Sequence, residues 1–526
     1  MRLALPPSPA RAAVPALLRP RASAGTARAA ALERLAADVA ALALIAGLAL
    51  WVNLHVVPYG LDTLDEGFEY QLASRILHGQ VPYRDFFTVV TPLGFYLQAL
   101  LIAVFGPGLL VGRIAVAVVG AGIAMAIYGA GSQVAARPLA LAAALAWIPW
   151  GIPYWAQPNY SWDVNLAALL AAWVALRAGA GRARWWTPGL LAALTVLTKQ
   201  NVGLVAAVAL AGYAAWRGGW PGLRGYTLGL ALPLAAFLAY LAGEHALGAF
   251  WYQTVWFAAH VFPGRTAAGI PYPTLRSVAQ ALRGHGGGLQ PLLTYMPQAL
   301  LCVGALLVEG GLLARRPWCP EGALVWGLVL AGLVIAYPRS DFVHIDYAFP
   351  LTFLGLGWVL WRLCLGQRWA LPLPLLGLLT LTLLAWPWGV ARSGAGNVPL
   401  PGPYSRGIRV DRGTAATIGT VVAAIDAAGP PGSPVLVLPY ANMLYYLADR
   451  PNPTPYDLDI TLNVPPGGNA EIAAAMGATH CPVFYQPNAG ISLPFQAYGA
   501  PVLAELHSHY QLVATPGGFQ EWLWSA

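Results

Sequence analysis

The sequence predicts a polytopic α-helical membrane protein that ends in a small α/β domain. Of its 526 residues, 58% are hydrophobic and only 10% are charged, whereas soluble domains contain roughly 25% charged residues. The hydrophobic residues occur in blocks of about 20, the length that an α-helix needs to span a bilayer. These observations exclude a soluble globular enzyme and a disordered chain, and we expect about 11 transmembrane (TM) helices.

The first 34 residues are rich in Ala, Pro and Arg and have no hydrophobic periodicity, which predicts a disordered cytoplasmic tail over residues 1–34. A membrane domain follows over residues 35–390. Its eleven predicted helices cover residues 35–57, 109–132, 138–153, 164–179, 186–198, 202–216, 226–243, 291–313, 321–337, 347–366 and 369–390. The first is too long for the hydrophobic core of a signal peptide, so we expect it to remain in the chain.

The distribution of charge predicts the orientation. The net charge is +8, and most Arg residues lie in short loops that fall on one side of the membrane if eleven helices are counted. Because cytoplasmic loops are enriched in basic residues, we expect these Arg-containing loops in the cytoplasm. Loops 58–108 and 244–290 and all residues after about 391 are then expected on the extracytoplasmic side of a plasma (inner) membrane. Scattered basic residues of this kind contact lipid headgroups and predict no nucleic-acid partner. The four cysteines have no CxxC spacing and predict neither a disulfide framework nor a zinc site.

Beyond the membrane domain the composition changes. Residues 391–411 contain Pro and Gly and predict a linker. The remaining residues, 412–526, alternate between helices and short apolar strands, which predicts an α/β domain. The expected elements are a helix over 414–428, a strand over 435–438, a helix near 442–449, and helix–strand pairs over 470–485 and 499–514. No GxGxxG motif or P-loop marks this domain as nucleotide-binding.

The first outer loop carries an unusual number of acidic residues directly after the first helix. Residues 65–78 predict an amphipathic helix that lies in the membrane interface, and residues 91–105 predict a second half-apolar helix. A carboxylate such as Asp65 on the outer face could take a proton from an acceptor hydroxyl. The alternatives are that Asp65 only caps its helix and that Asp85 only pairs with Arg84.

Five further residues outside that loop could contact a substrate. Lys199, the only lysine of the chain, could bind a phosphate or could extend towards the membrane interface. Arg339 could hold a phosphate with two hydrogen bonds, next to Asp341 and His344, with His344 contacting phosphate or sugar; a local Arg339–Asp341 ion pair is the alternative. Asp163 is expected either as a helix cap or as part of the wall of a sugar pocket.

The segment DEGFEYQLASRILHGQVPYRDFF, followed by TPLGFYLQALLIAVFG, resembles the first outer loop of the GT-C membrane glycosyltransferases. The most similar branch includes the protein O-mannosyltransferases and the lipid A aminoarabinose transferase. The resemblance implies a helical membrane domain with two interfacial helices in this loop. It also implies an extracytoplasmic C-terminal domain and a sugar donor carried on a polyprenyl phosphate.

The resemblance also implies roles for single residues. The Asp of the Asp-Glu pair is the usual catalytic base in these enzymes, which here matches Asp65, and its neighbour Glu66 is predicted to contact substrate. A second acidic position matches Asp85, which is therefore also predicted to be catalytic. Some relatives need a divalent cation such as Mg or Mn, and Asp85 is the residue that could hold one. The chain departs from the aminoarabinose transferase pattern, because RDFFTVVTPL stands where an acid-Lys-Pro-Pro stretch is expected, so the substrate of that enzyme is not carried over.

The combined prediction is an inverting membrane glycosyltransferase with Asp65 as general base. It would move a sugar from a polyprenyl-phosphate donor to a hydroxyl of a glycan, lipid or protein acceptor on the outer face of the membrane. The alternative is a non-catalytic transporter, or flippase, of lipid-linked glycans. That alternative predicts internal symmetry and charges within the membrane spans, whereas the charges here concentrate in the outer loops. A catalytically inactive scaffold is a third possibility.

Overall fold

The computed structural model describes residues 24–178, 182–261, 290–309, 319–337, 341–364, 370–390, 396–460, 463–487, 489 and 494–525. The chain divides into two compact units, Met1–Leu44 and Ile45–Ala526. Within the described residues, the first unit contains the beginning of helix α1. This helix starts at Ala24, so residues 24–34 of the predicted disordered tail are helical instead. The features described below belong to the second unit.

The described part of the chain up to residue 390 is almost entirely helical. In chain order the helices are α1 (Ala24–Val56), α2 (Asp65–Leu77), α3 (Leu93–Phe105), α4 (Leu109–Val134), α5 (Arg137–Trp150), α6 (Tyr160–Arg177), α7 (Trp186–Thr198), α8 (Gln200–Gly243), α9 (Leu247–Trp251), α10 (Ala258–His260), α11 (Gln290–Val308), α12 (Pro320–Ile335), α13 (Phe342–Leu363) and α14 (Pro372–Val390). A π-helical turn, Tyr252–Phe257, joins α9 to α10. Each predicted membrane segment overlaps one of these helices or one half of α8.

Helix α8 consists of two helical segments that meet in a kink at Gly219. Gly219 has a φ of 60° and a ψ of −159° in its middle, a backbone conformation that residues with a side chain rarely adopt. The two halves on either side of Gly219 correspond to the predicted helices 202–216 and 226–243. Gly219 therefore allows an abrupt change of direction between the two predicted helices.

Four of the described helices are long and apolar enough to cross a membrane. They comprise Arg28–Val56, Leu109–Val134, Gln200–Gly243 and Phe342–Leu363. Other apolar helices, including α7 and α12, are shorter. The protein is therefore a membrane protein, whereas the number of helices that cross the bilayer, about eleven, stays a prediction.

The first outer loop contains the two predicted helices, α2 and α3. Helix α2 begins at Asp65 because the carboxylate of Asp62 accepts hydrogen bonds from the backbone N–H groups of Leu64 and Asp65, at 2.9 and 3.1 Å. These N–H groups would otherwise lack partners at a helix start. In the second outer loop, residues 262–289 lie outside the described residues.

The C-terminal region contains α15 (Arg412–Ala427), α16 (Met443–Leu447), α17 (Gly468–Thr479), α18 (Ala500–His509) and strands β1 (Val398–Pro399), β2 (Arg409–Val410), β3 (Leu436–Leu438), β4 (Val483–Tyr485), β5 (Tyr510–Ala514) and β6 (Gln520–Trp524). Strands β1 and β2 pair within the predicted linker. The other four strands form a sheet of order β3-β4-β6-β5. Its β3–β4 pair is parallel, and the other two pairs are antiparallel.

The C-terminal region packs directly on α2. A Cβ atom placed on Gly67 would lie only 2.2 Å from the backbone nitrogen of Met443, so only glycine permits this approach. The guanidinium of Arg75 pairs with the buried carboxylate of Asp457 at 2.8 Å, with 6% and 0% of the two side chains exposed. These contacts fix α2, and with it Asp65, against residues that follow almost 400 positions later in the chain.

Candidate active site

A cavity of about 540 Å³ lies where α2, α6, the start of α8, α10, the end of α12 and the start of α13 meet. Its wall includes four polar or charged residues from distant segments, namely Asp65, Ser161, Lys199 and His344. Three residues of the C-terminal region, Leu458, Ile460 and Asn463, complete the wall. A largely apolar cavity with a few polar groups is the usual form of a small-molecule site.

Asp65 lies at the cavity because Asp62 orients the first turn of α2. The carboxylate of Asp62 accepts the N–H of Asp65 and also a hydrogen bond of 3.2 Å from the side-chain amide of Gln157. Burial raises the pKa of Asp62 above its ordinary value, and the hydrogen bond from Leu64 opposes this increase. Asp62 therefore caps α2. Capping was the alternative role considered for Asp65.

Glu69, one helical turn after Asp65, is a buried member of the site that the sequence analysis did not select. Its side chain is 2% exposed and accepts a hydrogen bond of 3.1 Å from the backbone N–H of Tyr160, at the start of α6. Burial is the main cause that raises its pKa to about 8, and the nearby carboxylates of Asp163 and Asp65 contribute to this increase. Glu69 therefore keeps its proton at neutral pH. The spacing of four residues, which puts Glu69 and Asp65 on one helical face, was the signal that could have identified it.

Lys199 lies in the break between α7 and α8, where the backbone is extended. Its ammonium donates a hydrogen bond of 3.0 Å to the hydroxyl of Ser161 and lies 5.1 Å from the centre of the Tyr160 ring. Only 8% of the residue is exposed. Burial lowers its pKa to about 8, although Asp65 and Glu69 act in the opposite direction. The side chain thus extends into the protein rather than towards the membrane interface, and it is still mostly protonated at neutral pH.

His344 and Asp341 form a pair on the opposite wall. Asp341 caps α13 by accepting the backbone N–H of His344 at 3.0 Å, and its Oδ1 lies 2.6 Å from the Nδ1 of His344. Because a carboxylate only accepts hydrogen bonds, Nδ1 must carry the proton and donate it. Asp341 thereby fixes the orientation of the imidazole, and His344 lines the cavity. Arg339 lies outside the described residues.

Two of the predicted substrate-binding residues do not line the cavity. Glu66 is fully buried and forms an ion pair with Arg113, with distances of 2.6 and 2.7 Å. It therefore joins α2 to α4, and its predicted contact with substrate is not supported. Asp163 lies in the first turn of α6, behind the wall and close to Glu69. Asn159, rather than Asp163, caps that helix by accepting the N–H of Ser161 at 2.8 Å.

Asp85 lies apart from the cavity. Its carboxylate pairs with Arg84 at 2.8 Å, and Arg84 also pairs with Glu244 in the second outer loop. Arg84 holds the pKa of Asp85 below its ordinary value. Within the described part of the chain, no group of three or more His, Cys, Asp or Glu residues could hold a metal ion. The surroundings of Asp85 do not fit the predicted divalent cation, and no metal role is assigned to it.

An apolar groove lies next to the cavity. It has a volume of about 580 Å³ and lies between the first half of α8 and α12. Leu204 lines both the cavity and the groove, so the two are contiguous at this residue. On α8 the groove extends as far as Trp216, and 62% of this side chain is exposed. The charged cavity thus lies next to an apolar surface between α8 and α12.

Solved structures with the same fold include two membrane glycosyltransferases. ArnT from Cupriavidus metallidurans, bound to undecaprenyl phosphate, superposes with a TM-score of 0.55 at 12% identity, covering 93% of this chain and 98% of that chain. The archaeal oligosaccharyltransferase AglB from Archaeoglobus fulgidus was solved in complex with an inhibitory peptide and a dolichol-phosphate. It superposes with a TM-score of 0.54 at 11% identity, covering 93% of this chain and 74% of that chain. No family model and no curated protein sequence matches the chain. The chain therefore has the fold of these two proteins, in agreement with the helical membrane fold that the resemblance of the first outer loop implies.

Proposed function

We propose that this chain, which has the GT-C fold, is a glycosyltransferase that uses a polyprenyl-phosphate sugar as its donor. The observation that carries the proposal is a single cavity that combines Asp65, Lys199 and His344 and has an apolar groove beside it. A carboxylate can accept a proton, cations can hold a phosphate, and an apolar groove suits a polyprenyl chain. The two solved relatives, one with undecaprenyl phosphate and one with dolichol-phosphate, support the same donor class.

In the proposed reaction the carboxylate of Asp65 removes the proton from an acceptor hydroxyl. The acceptor oxygen then attacks the anomeric carbon of the donor sugar, and the bond from that carbon to the phosphate oxygen breaks. The phosphate leaves with the bonding electrons and remains on the polyprenyl chain. Because a single displacement takes place on the side opposite the phosphate, the configuration at the anomeric carbon is inverted.

Lys199 and His344 are proposed to hold the donor phosphate as its charge increases. Groups that are already oriented towards a developing charge lower the barrier most effectively. Ser161 and Asp341 fix these two side chains by hydrogen bonds. Glu69 contributes indirectly: because burial keeps it protonated, the cavity has one negative charge fewer beside the phosphate.

The proposed acceptor is a hydroxyl of a glycan, lipid or protein, and the active site is proposed to face the outer side of the plasma membrane. The acceptor class follows from a carboxylate that can take a proton from a hydroxyl, and the orientation follows from the positive-inside distribution of Arg. The C-terminal region is proposed to lie on the same side as the cavity, because Leu458 and Ile460 pack in one apolar cluster with Phe68 of α2.

The test is product analysis by mass spectrometry, with the purified protein in nanodiscs and a panel of undecaprenyl-phosphate sugars. Asp65→Asn should retain binding of undecaprenyl phosphate but lose about two to four orders of magnitude in transfer rate, because it removes only the proton acceptor. Asp85→Asn is the matched control: it makes the same change in the same loop, outside the cavity, and should transfer at a rate close to that of the unmodified protein.

Two results would contradict the proposal. If Asp65→Asn transfers within a factor of a few of the unmodified protein, Asp65 is not the base. If undecaprenyl phosphate binds but no donor of the panel yields a product, the transporter alternative is favoured. Movement of a lipid-linked glycan across the membrane of proteoliposomes would then test that alternative directly.

A further inference from the structure

The break between α7 and α8 is a single residue, Lys199. Its N–H donates a hydrogen bond of 3.0 Å to the carbonyl of Thr195, and its carbonyl accepts one of 2.9 Å from the N–H of Gly203. The two helices touch at this junction: a Cβ atom placed on Gly203 would lie only 2.4 Å from the backbone nitrogen of Val196. The direction in which the Lys199 side chain enters the cavity therefore depends on how this break is held.

Gln200, the residue after Lys199, uses its whole side-chain amide to hold the break. Its Oε1 accepts a hydrogen bond of 3.1 Å from the backbone N–H of Thr91. Its Nε2 donates to the carbonyls of Val89, at 2.6 Å, and Thr254, at 3.4 Å. An amide nitrogen has two hydrogens to donate, so both are engaged within the protein. Gln200 lines the cavity, but its amide is occupied by the two outer loops rather than available to a substrate.

Thr91 connects the same break to the other helix. Its hydroxyl donates a hydrogen bond of 2.7 Å to the carbonyl of Val196, in the last turn of α7, and only 3% of the residue is exposed. The last carbonyl groups of a helix have no partner within that helix, so a side chain can bind them without competing with the helical bonds. Thr91 thus contacts the end of α7 through its hydroxyl and the start of α8 through its backbone.

Gln253 offers a comparison within the same structure. It also joins the two outer loops, because its Oε1 accepts the N–H of Thr88 at 2.9 Å and its Nε2 donates to the carbonyl of Tyr83 at 2.9 Å. Only 7% of it is exposed. Neither of these partners belongs to α7 or α8. The two glutamines therefore have similar contacts, but only Gln200 acts on the break that contains Lys199.

We propose that Gln200 and Thr91 are positioning residues, which hold the break between α7 and α8 so that the ammonium of Lys199 is directed into the cavity. Lysine has a flexible stem, and a side chain that is ordered in advance loses less conformational entropy when a ligand binds. The use of this ammonium to bind the donor phosphate rests on the proposed function. Its placement by Gln200 and Thr91 does not.

The experiment depends on Lys199 being the only lysine of the chain. Lysine labelled with carbon-13 at Cε gives one side-chain NMR signal, whose titration reports the pKa of Lys199 in the full-length protein in nanodiscs. Burial lowers this pKa to about 8. Gln200→Met keeps the length of the side chain and removes its hydrogen bonds, so water should reach the ammonium and the pKa should rise by about one unit or more. Thr91→Val, which removes only the hydroxyl, should raise it by less.

The titratable groups around Lys199 are the same in these variants and in the unmodified protein. They are Asp65 and Glu69 of α2, Tyr160 of α6, Tyr337 after α12, and His344 and Tyr347 of α13. A change in the pKa of Lys199 therefore reports its position and hydration rather than the loss of a neighbouring charge.

Gln253→Met is the matched control, because it makes the same substitution between the same two loops. It should leave the pKa of Lys199 at about 8. A purely structural role would make the two glutamine variants alike. The proposal is therefore wrong if the pKa does not rise in Gln200→Met, or if it rises equally in Gln253→Met. If Gln200→Met does not fold, Thr91→Val decides by the same criteria, and if neither folds, the proposal is also wrong.

This titration needs no donor, so it tests the positioning even if the chain transfers no sugar. Binding of undecaprenyl phosphate at about pH 7, where Lys199 is protonated in both proteins, should also weaken about tenfold in Gln200→Met, because a hydrogen bond to a charged group is misaligned. If the pKa rises but this affinity is unchanged, the positioning is supported and the phosphate-binding role of Lys199 is the part that fails.

Discussion

Replacing Asp459 with Asn should make the thermal stability of the protein less dependent on pH. Asp459 lies in the segment of the C-terminal region that reaches the active-site cavity, and it is 2% exposed. Neither of its carboxylate oxygens has a hydrogen-bond partner within the described residues. Burial therefore raises its pKa from the ordinary 3.8 to about 8. The folded protein keeps this proton over a pH range in which the unfolded chain has already lost it.

The magnitude follows from this difference in pKa. A carboxyl group whose pKa is raised by folding favours the folded state most below the unfolded pKa of 3.8, and this stability is lost as the pH rises towards the folded pKa of about 8. Each pH unit in between costs about 1.36 kcal/mol. Between about pH 5 and about pH 8 the unmodified protein should thus lose about 4 kcal/mol at this one site. The Asn side chain does not titrate, so the variant avoids this loss.

The assay is thermal unfolding of both proteins in nanodiscs, followed by tryptophan fluorescence at a series of pH values. For a folding unit of this size, 1 kcal/mol corresponds to at most about 2 °C in Tm. The Tm of Asp459→Asn minus that of the unmodified protein should therefore increase by up to about 8 °C between about pH 5 and about pH 8. The contributions to Tm of groups that titrate equally in both proteins cancel in this difference. A difference that stays constant over this range would refute the reasoning, and Asp426→Asn, at an exposed carboxylate, should give such a constant difference.

Three further outcomes are expected. Binding of undecaprenyl phosphate should weaken about tenfold or more as the pH rises through about 8, because Lys199 loses its proton there. The variant Lys199→Arg should remove this pH dependence. If its binding instead depends on pH as in the unmodified protein, Lys199 does not bind the phosphate. Asp457→Asn should destabilise the protein by about 3–5 kcal/mol, because it leaves the buried Arg75 without its charge partner; a Tm equal to that of the unmodified protein would contradict this. A cysteine introduced at Ala474, on the exposed side of α17, into a variant without native cysteines should react with a membrane-impermeant maleimide in intact spheroplasts, whereas reaction only after lysis would assign the C-terminal region to the cytoplasm.

Hydrophobic periodicity was sufficient to predict the helical segments of this chain, because long apolar runs depend only on local sequence. The predicted helix over 186–198, for example, has the same bounds as α7. In the C-terminal region the predicted strand over 435–438 contains β3, and the predicted helix over 414–428 corresponds to α15. Strand β6 was missed: it begins two residues after a glycine pair, and its pairing with β4, almost 40 residues earlier, has no local signal.

The individual site residues were harder to predict, because their partners are distant in the sequence. Asp65 and Lys199 do line one cavity. Glu66 could not be distinguished from its neighbour, since only the position of Arg113 on α4 shows that it is used in a buried ion pair. The contribution of Leu458 to the cavity wall has no signature in the sequence at all, because an apolar residue looks the same in a core and in a binding site.

The close contact between Gly67 and Met443 has a consequence for biosynthesis. The loop with Asp65 leaves the ribosome early, but the backbone against which α2 packs follows about 380 residues later, which at usual translation rates means a delay of roughly 20–75 s. During this interval the membrane helices can insert while the loop that contains Asp65 still lacks its final support. Completion of the active site is therefore one of the last steps of assembly, and a nascent chain that is released before residue 443 should insert into the membrane without forming it.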